Sequence, residues 1–237
     1  MIRQQAYEKA QSEATMEKLR FLQRLDHELK NPLTAMQIAL ANLEEATDPD
    51  RRREIRSSMR GQLLRMSYLI GDLRKLAVLG KGELEHILVD VGDLLLETSQ
   101  AFQDSQDVSQ RQYITDFDQG TLPTIIGDRD MLQLAIYNLL DNAQKFTEAG
   151  DTIRLQATSE GDQLIIQVID TGRGIPEDDL PHIWEDLYRS ADVQGVPGSG
   201  VGLAMVKGIV EQHDGAIAAS SIFRQGTTIT LKIPMQK

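Results

Sequence analysis

The chain contains no cysteine, so disulfides, thiolate metal sites and cysteine nucleophiles are excluded. Aromatic residues are scarce, at 5%. There is no apolar run of the ~18 residues that a membrane span requires, and the N-terminus has no apolar core of a signal peptide. Positive charge is missing where a nucleic-acid surface would need it. Residues 83–237 carry 10 Lys and Arg against 25 Asp and Glu, which argues against nucleic acid as a partner. Glycine is absent from residues 1–46, and Pro32 is the only proline there. No G-x-x-x-x-G-K-[ST] phosphate loop occurs anywhere.

What is present divides in two. The chain has 237 residues and 41% hydrophobic content, enough for one or two domains with real cores. Residues 1–82 hold 15 Lys and Arg against 11 Asp and Glu, a net of +4, while residues 83–237 are at −15. That asymmetry, with Gly80-Lys81-Gly82, places a boundary near residue 82. Residues 1–46 read as one helix. Its apolar positions follow a heptad from Leu22: Leu22, Leu29, Met36 and Leu43 at a, and Leu25, Pro32 and Ala39 at d. Asp48-Pro49-Asp50 breaks it. A second helix is expected over 51–79, with its stripe at Ile55, Met59, Leu63, Met66, Ile70, Leu73 and Ala77. Leu33, Leu40, Leu64, Leu69 and Leu76 add apolar surface that one hairpin cannot bury. Pairing with a second copy through residues 1–82 would complete a four-helix bundle, and a homodimer is expected.

Beyond residue 82 the periodicity changes. Helices are expected at 92–106, 128–146, 177–184 and 201–213, the second with Asp128 as N-cap and the last with Gly215 at C′. Strands are expected at Tyr113–Phe117, Thr124–Ile126, around Ile153–Ala157, at Leu164–Asp170, and in a final hairpin of 216–222 and 227–233. Without strict βαβ alternation, an α+β sandwich follows, with helices on one face of a mixed sheet.

In the first helix lies His27-Glu28-Leu29-Lys30-Asn31-Pro32-Leu33. In the heptad His27 falls at f, away from the seam. An imidazole there is in part neutral and nucleophilic near pH 7. Glu28 is placed to fix its tautomer and take a proton. Asn31 shares the face of His27 and could orient a water. Pro32 removes an N–H and should bend the helix close to His27. Most surface histidines do nothing further, and the segment lacks the second His of an H-E-x-x-H zinc site.

Three more segments make sense together. In Asn138-x-x-x-Asn142-x-x-Lys145-Phe146 two amides and an ammonium share one helical face. The amide oxygens suit Mg²⁺, a hard cation that takes few protein ligands, and the ammonium suits a phosphate. A solvated polar face is the plainer alternative. Asp170 ends the apolar row Leu164, Ile166, Val168, where a carboxylate is costly unless it finds donors such as the amino group of adenine. Gly172 and Gly174 would let the chain turn against a flat base, although Asp-Thr-Gly is also an ordinary turn. Gly198-Ser199-Gly200-Val201-Gly202-Leu203 opens a helix, where backbone N–H groups bind phosphate. No strand precedes this run, so a Rossmann turn fails its context test.

The His27–Leu33 segment resembles the H-box of sensor histidine kinases. The later segments, in this order, resemble the N, G1 and G2 boxes of the ATP-binding domain of those kinases, related to gyrase-type ATPases. Ile183-Trp184-Glu185-Asp186-Leu187-Tyr188-Arg189 is similar to the F-box, I-F-E-R-F-Y-R, and departs from it at Trp184, Asp186 and Leu187. The resemblance covers residues 20–235 and implies an all-α dimerisation and phosphotransfer hairpin, 1–82, then a catalytic ATP-binding α+β sandwich, 83–237. It implies autophosphorylation of His27 with Glu28 and Asn31 as its catalytic neighbours. Asn138 and Asn142 would hold Mg²⁺. ATP would contact Asn138, Asn142, Lys145, Phe146, Asp170, Gly172, Gly174, Arg189, Gly198, Gly200, Gly202 and Leu203. The phosphoryl group would pass to an aspartate on a response-regulator receiver domain, and Asn31 occupies the place linked to dephosphorylating that regulator. The chain is expected to be cytoplasmic, in the manner of the cytoplasmic part of a longer membrane-bound sensor. A non-catalytic nucleotide-binding scaffold and a gyrase-like ATPase are the rival readings.

Overall fold

The computed structural model describes residues 2–79, 85–105, 110–193, 196 and 198–235. The chain forms two compact units, one built on residues 1–74 and the other on 75–196 and 200–237.

The first unit is a pair of long helices, α1 (Ile2–Glu45) and α2 (Pro49–Leu79). α1 continues through Pro32, whose ring is buried. The heptad residues Leu25, Leu29, Met36, Ala39 and Leu43 are half-buried, while Leu22 stays exposed. α2 starts two residues earlier than the break at Asp48-Pro49-Asp50 predicts. The reason is local: Pro49 sits at the first helical position, where its missing N–H costs nothing. Asp48 turns its carboxylate to the Asp50 N–H at 3.2 Å, and its carbonyl accepts from Arg52 N–H at 3.0 Å. Leu33, Ile38, Leu40, Leu63 and Ile70 remain exposed. The side chains of Leu64, Leu69, Leu73, Leu76 and Ala77, and the punctuation at Gly80–Gly82, lie outside the described residues.

The second unit runs β1 (Ile87–Asp90), α3 (Val91–Ser105), β2 (Gln112–Asp116), β3 (Thr124–Gly127), α4 (Arg129–Lys145), β4 (Thr152–Glu160), β5 (Gln163–Asp170), α5 (Gly202–Gln212), β6 (Ala216–Ile222) and β7 (Gly226–Pro234). β1 and β3 form an antiparallel ribbon. The other strands make a mixed sheet in the order β2-β4-β5-β7-β6, parallel only between β2 and β4. Alternation along the strands gives the sheet one apolar face: Ile153 and Leu155 on β4, Leu164, Ile166 and Val168 on β5, and Leu231 and Ile233 on β7 are buried. These residues join Leu94, Leu95 and Phe102 of α3, Leu132, Ile136, Leu139 and Leu140 of α4, and Met205, Val206 and Ile209 of α5 in one core. Each such aliphatic side chain contributes about 1.5–3 kcal/mol on burial. This is the expected α+β sandwich.

Two local expectations are corrected, and one strand is added. No helix forms at 177–184; these residues are consecutive turns. Pro181 lies inside the segment, where it removes an N–H and disfavours helical geometry at Leu180. β1 was not anticipated, because a four-residue strand with one buried position shows no period. At the end of α5, Asp214 rather than Gly215 takes the left-handed C′ position, at φ 54°. Asp214 N–H donates to Glu211 and Gly215 N–H to Val210, at 3.1 and 2.9 Å, a Schellman arrangement. Glycine is required at 215 by crowding instead, since a Cβ there would stand 2.5 Å from the Lys232 carbonyl oxygen.

Candidate functional site

α4 is the platform. Asp128 caps it as predicted, its carboxylate accepting from Met131 N–H at 3.0 Å. The apolar face of the helix enters the core, which leaves Asn138, Asp141, Asn142 and Lys145 on one stripe. Asn138 is buried, and its amide nitrogen donates to the Leu134 carbonyl at 2.7 Å. Its Oδ1 therefore faces away from its own helix, toward the start of α5. A Cβ on Gly202 would lie 3.5 Å from Asn138 Oδ1 and 3.7 Å from the Asn142 amide nitrogen. The two Asn side chains and the last of the three glycines, 64 and 60 residues apart in sequence, thus meet. Lys145 Nζ is 2.5 Å from Asp141 Oδ2, a pair the sequence reading did not single out.

α5 begins at Gly202 with Val201 as N-cap and no side chain capping it, so its first turn presents backbone donors of the kind that bind anions. Leu203, in that turn, packs against the core. Gly200, at φ 79°, is pressed against the F-box-like segment. A Cβ there would stand 2.5 Å from the Tyr188 carbonyl oxygen. A Cβ on Gly198 would meet nothing within 4 Å.

Asp170 points to the helix-covered side of the sheet, opposite Ile153, as its parity predicts. Its carboxylate accepts from Gly172 N–H at 2.9 Å. Burial pushes its pKa up to about 6; the backbone N–H groups of Gly172 and Thr227 oppose that rise, and the Asp151 charge adds to it. Gly172 lies against the carbonyl of Phe146, the residue that ends α4, and Arg173 N–H donates to that same carbonyl at 3.1 Å. Gly174, at φ 65°, lies against the Ile222 carbonyl. Both glycines are thus demanded by close approach of the chain to itself, not only by room for a base. The end of α4, the end of β5 and the start of α5 therefore converge.

The segment 183–189 is held by its own polar contacts. Tyr188 hydroxyl donates to Asp179 at 2.8 Å, which pushes the phenol pKa up to about 12, and hydrogen bonds from Ser190 and then Tyr188 hold the Asp179 carboxyl low. Leu187 is buried with φ 61°, a backbone region that a branched side chain rarely adopts. Arg189 donates to the Val193 and Val196 carbonyls at 2.7 and 2.6 Å.

His27 and Glu28 lie in α1, but their side chains are outside the described residues. Asn31 is exposed on the same helix, and Lys30 pairs with Asp26 at 2.6 Å. No helix among the described residues is long and apolar enough to cross a membrane. Residues missed from sequence are those that brace α4. His213 Nε2 accepts from Asp128 N–H at 3.0 Å while its Nδ1 meets the Ile209 carbonyl at 2.7 Å. At the other end Arg111 donates to the Thr147 hydroxyl and carbonyl at 2.9 and 2.7 Å. Neither carries a motif signal, because the partners are 36 or more residues away.

Residues 17–82 match the family model described as the His Kinase A (phospho-acceptor) domain. Residues 127–237 match the histidine kinase-, DNA gyrase B- and HSP90-like ATPase model. The sensor-like histidine kinase SenX3 of Mycolicibacterium smegmatis is 34% identical over 96% of this chain and 59% of its own length. The alginate biosynthesis sensor protein KinB of Pseudomonas aeruginosa is 32% identical over 98% of this chain and 38% of its own. The chain thus spans less than two thirds of these relatives. The solved structure of full-length ShkA in complex with AMPPNP is 26% identical, with a TM-score of 0.62 over 90% of this chain and 45% of that one. The H-, N-, G1- and G2-like segments fall within the two matched regions, and the chain belongs to the sensor histidine kinase family.

Proposed function

We propose that the chain is the kinase core of a two-component sensor, residues 1–82 serving dimerisation and phosphotransfer and residues 83–237 binding ATP. The observation that carries this is the convergence on α4: two Asn amides face Gly202, Lys145 lies one turn on, and Gly172, whose N–H donates to Asp170, abuts the end of the same helix. Asp170 retains acceptor capacity for the amino group of adenine beyond its backbone donors. Lys145 and the N-terminal turn of α5 take the phosphates.

The donor set fits a hard divalent cation. Asn138 is held so that its amide oxygen is turned outward, and Asn142 offers a second beside it. When bound, Mg²⁺ supplies charge neutralisation of the phosphates. The residues of the chain do the rest. Asn142 and Lys145 orient the triphosphate, and Glu28 takes the proton from the His27 ring. The other ring nitrogen bonds to the γ-phosphorus as its bond to the ADP oxygen breaks. The phosphoryl group then passes to an aspartate of a receiver domain, and Asn31 orients a water that cleaves the resulting acyl phosphate to free phosphate in the phosphatase duty. Exposed Leu22, Leu33, Ile38, Leu40, Leu63 and Ile70 on α1 and α2 support a homodimer.

Incubation with γ-labelled ATP and Mg²⁺ tests the whole reading. Acid-labile, base-stable label is expected on the wild-type chain and is expected to vanish in His27→Gln. Asn142→Ala should label at below about 1% of the wild-type rate while melting normally; undiminished labelling removes its metal role. A scaffold without catalysis is the second reading, favoured by the F-box departures and by Arg189 being engaged with Val193 and Val196. Nucleotide binding with no label would establish it.

A further inference from the structure

Asp141 stands at i+3 from Asn138 and i−4 from Lys145, on the stripe assigned to phosphate and metal. An i,i+4 ion pair is ordinarily a solvated surface feature of small consequence. Lys30–Asp26 is of that kind, at 67% and 55% exposure. Asp141–Lys145 is not. Its side chains are 24% and 28% exposed, and its neighbours on the stripe, Asn138 and Asn142, face Gly202 at the uncapped start of α5.

An unpaired ammonium beside a helix N-terminus attracts any anion. Here the ammonium meets a carboxylate first, and the pair has no net charge. A Lys ammonium has further N–H donors beyond the one directed to Asp141. Lys145 can therefore contact a phosphate while still paired, but it brings no uncompensated positive charge to the contact. A polyphosphate without a cation then faces the Asp141 carboxylate at close range, in a place partly shielded from water. A polyphosphate bearing a divalent cation brings the missing charge with it.

We infer that Asp141 is a specificity-determining residue that makes the site select the metal-bound nucleotide over the metal-free one. This inference rests on the reading of the α4 stripe as the phosphate face, and the test separates the two. Calorimetric titration of the full chain with ATP at fixed ionic strength, once in excess Mg²⁺ and once in chelator, gives the ratio of the two affinities. In Asp141→Asn, metal-free ATP is expected to bind roughly tenfold more tightly, the scale of removing one like charge at short range in a half-buried site. Binding of Mg-ATP should change by less than about twofold, because the cation already offsets the carboxylate. The selectivity ratio therefore collapses in Asp141→Asn, and equally in Asp141→Ala should the amide perturb the fold. Asp141→Glu, which keeps the charge, should retain the wild-type ratio. An unchanged ratio in both neutral variants overturns the role of Asp141 and leaves the nucleotide site standing. A wild-type chain that binds ATP under neither condition overturns the nucleotide reading itself.

Discussion

Asp170 shows how a single side chain sets stability against binding. Its carboxyl, ordinarily near 3.8, titrates at about 6 because it is buried. Between those values the folded state holds more proton than the unfolded one, so stability falls as pH rises through the window. Above it the ionised group costs about 3 kcal/mol. Asp170→Asn is therefore expected to melt several degrees above wild type near pH 8 and to lose most of that advantage near pH 4. The same variant should bind ATP at least about tenfold more weakly, through loss of a charge-assisted acceptor. Thermal melts at both pH values and one titration decide it; equal melting at high pH sinks the account of Asp170 as a costly carboxylate. At Gly172 the constraint is steric. A Cβ would run into the Phe146 carbonyl, so Gly172→Ala should destabilise by about 2 kcal/mol or more, read by denaturant unfolding. Side-chain parity made Asp170 legible from sequence, because period two along β5 fixes its face. The Asp141–Lys145 pair was not legible, since Asp-x-x-x-Lys marks any exposed helix and only packing reveals its burial.

At the scale of elements, α4 is fixed at both ends by partners remote in sequence. The His213 imidazole accepts the Asp128 N–H at its start, and Arg111 grips Thr147 at its finish. His213→Ala leaves a buried N–H without its acceptor and should cost about 1–3 kcal/mol by chemical denaturation, with α4 and α5 losing amide protection together. At the end of α5, Asp214 is exposed in a left-handed conformation that glycine adopts freely. Asp214→Gly is expected to raise stability by about 0.5 kcal/mol, a small upward shift in Tm; a downward shift would contradict the strain assigned to φ 54°. The long helices and alternating strands were readable because each carries its own period over many residues. The ribbon of β1 with β3 was not, because its pairing is non-local and only Val89 on β1 is buried. The segment 177–184 misled because its acidic and apolar residues suit a helix until Pro181 is considered.

For the whole molecule, the apolar side chains left exposed on α1 and α2 are the surface on which the proposed homodimer rests. Melting of the helical unit should move upward with protein concentration, by mass action on a dimer. A transition independent of concentration over a hundredfold range, about 1–100 μM, would sink the homodimer. The second unit buries one core between its sheet and α3, α4 and α5. Within it, α4 is anchored at either end and is expected to hold its place when a ligand binds. Any rearrangement on binding is then expected in residues 171–193, which hold turns and one short 3-10 segment in place of longer regular elements. A protease attacking that stretch should therefore cut at different rates in diphosphate and triphosphate, and the digestion pattern would serve as an outward gauge of which product or substrate the molecule is holding.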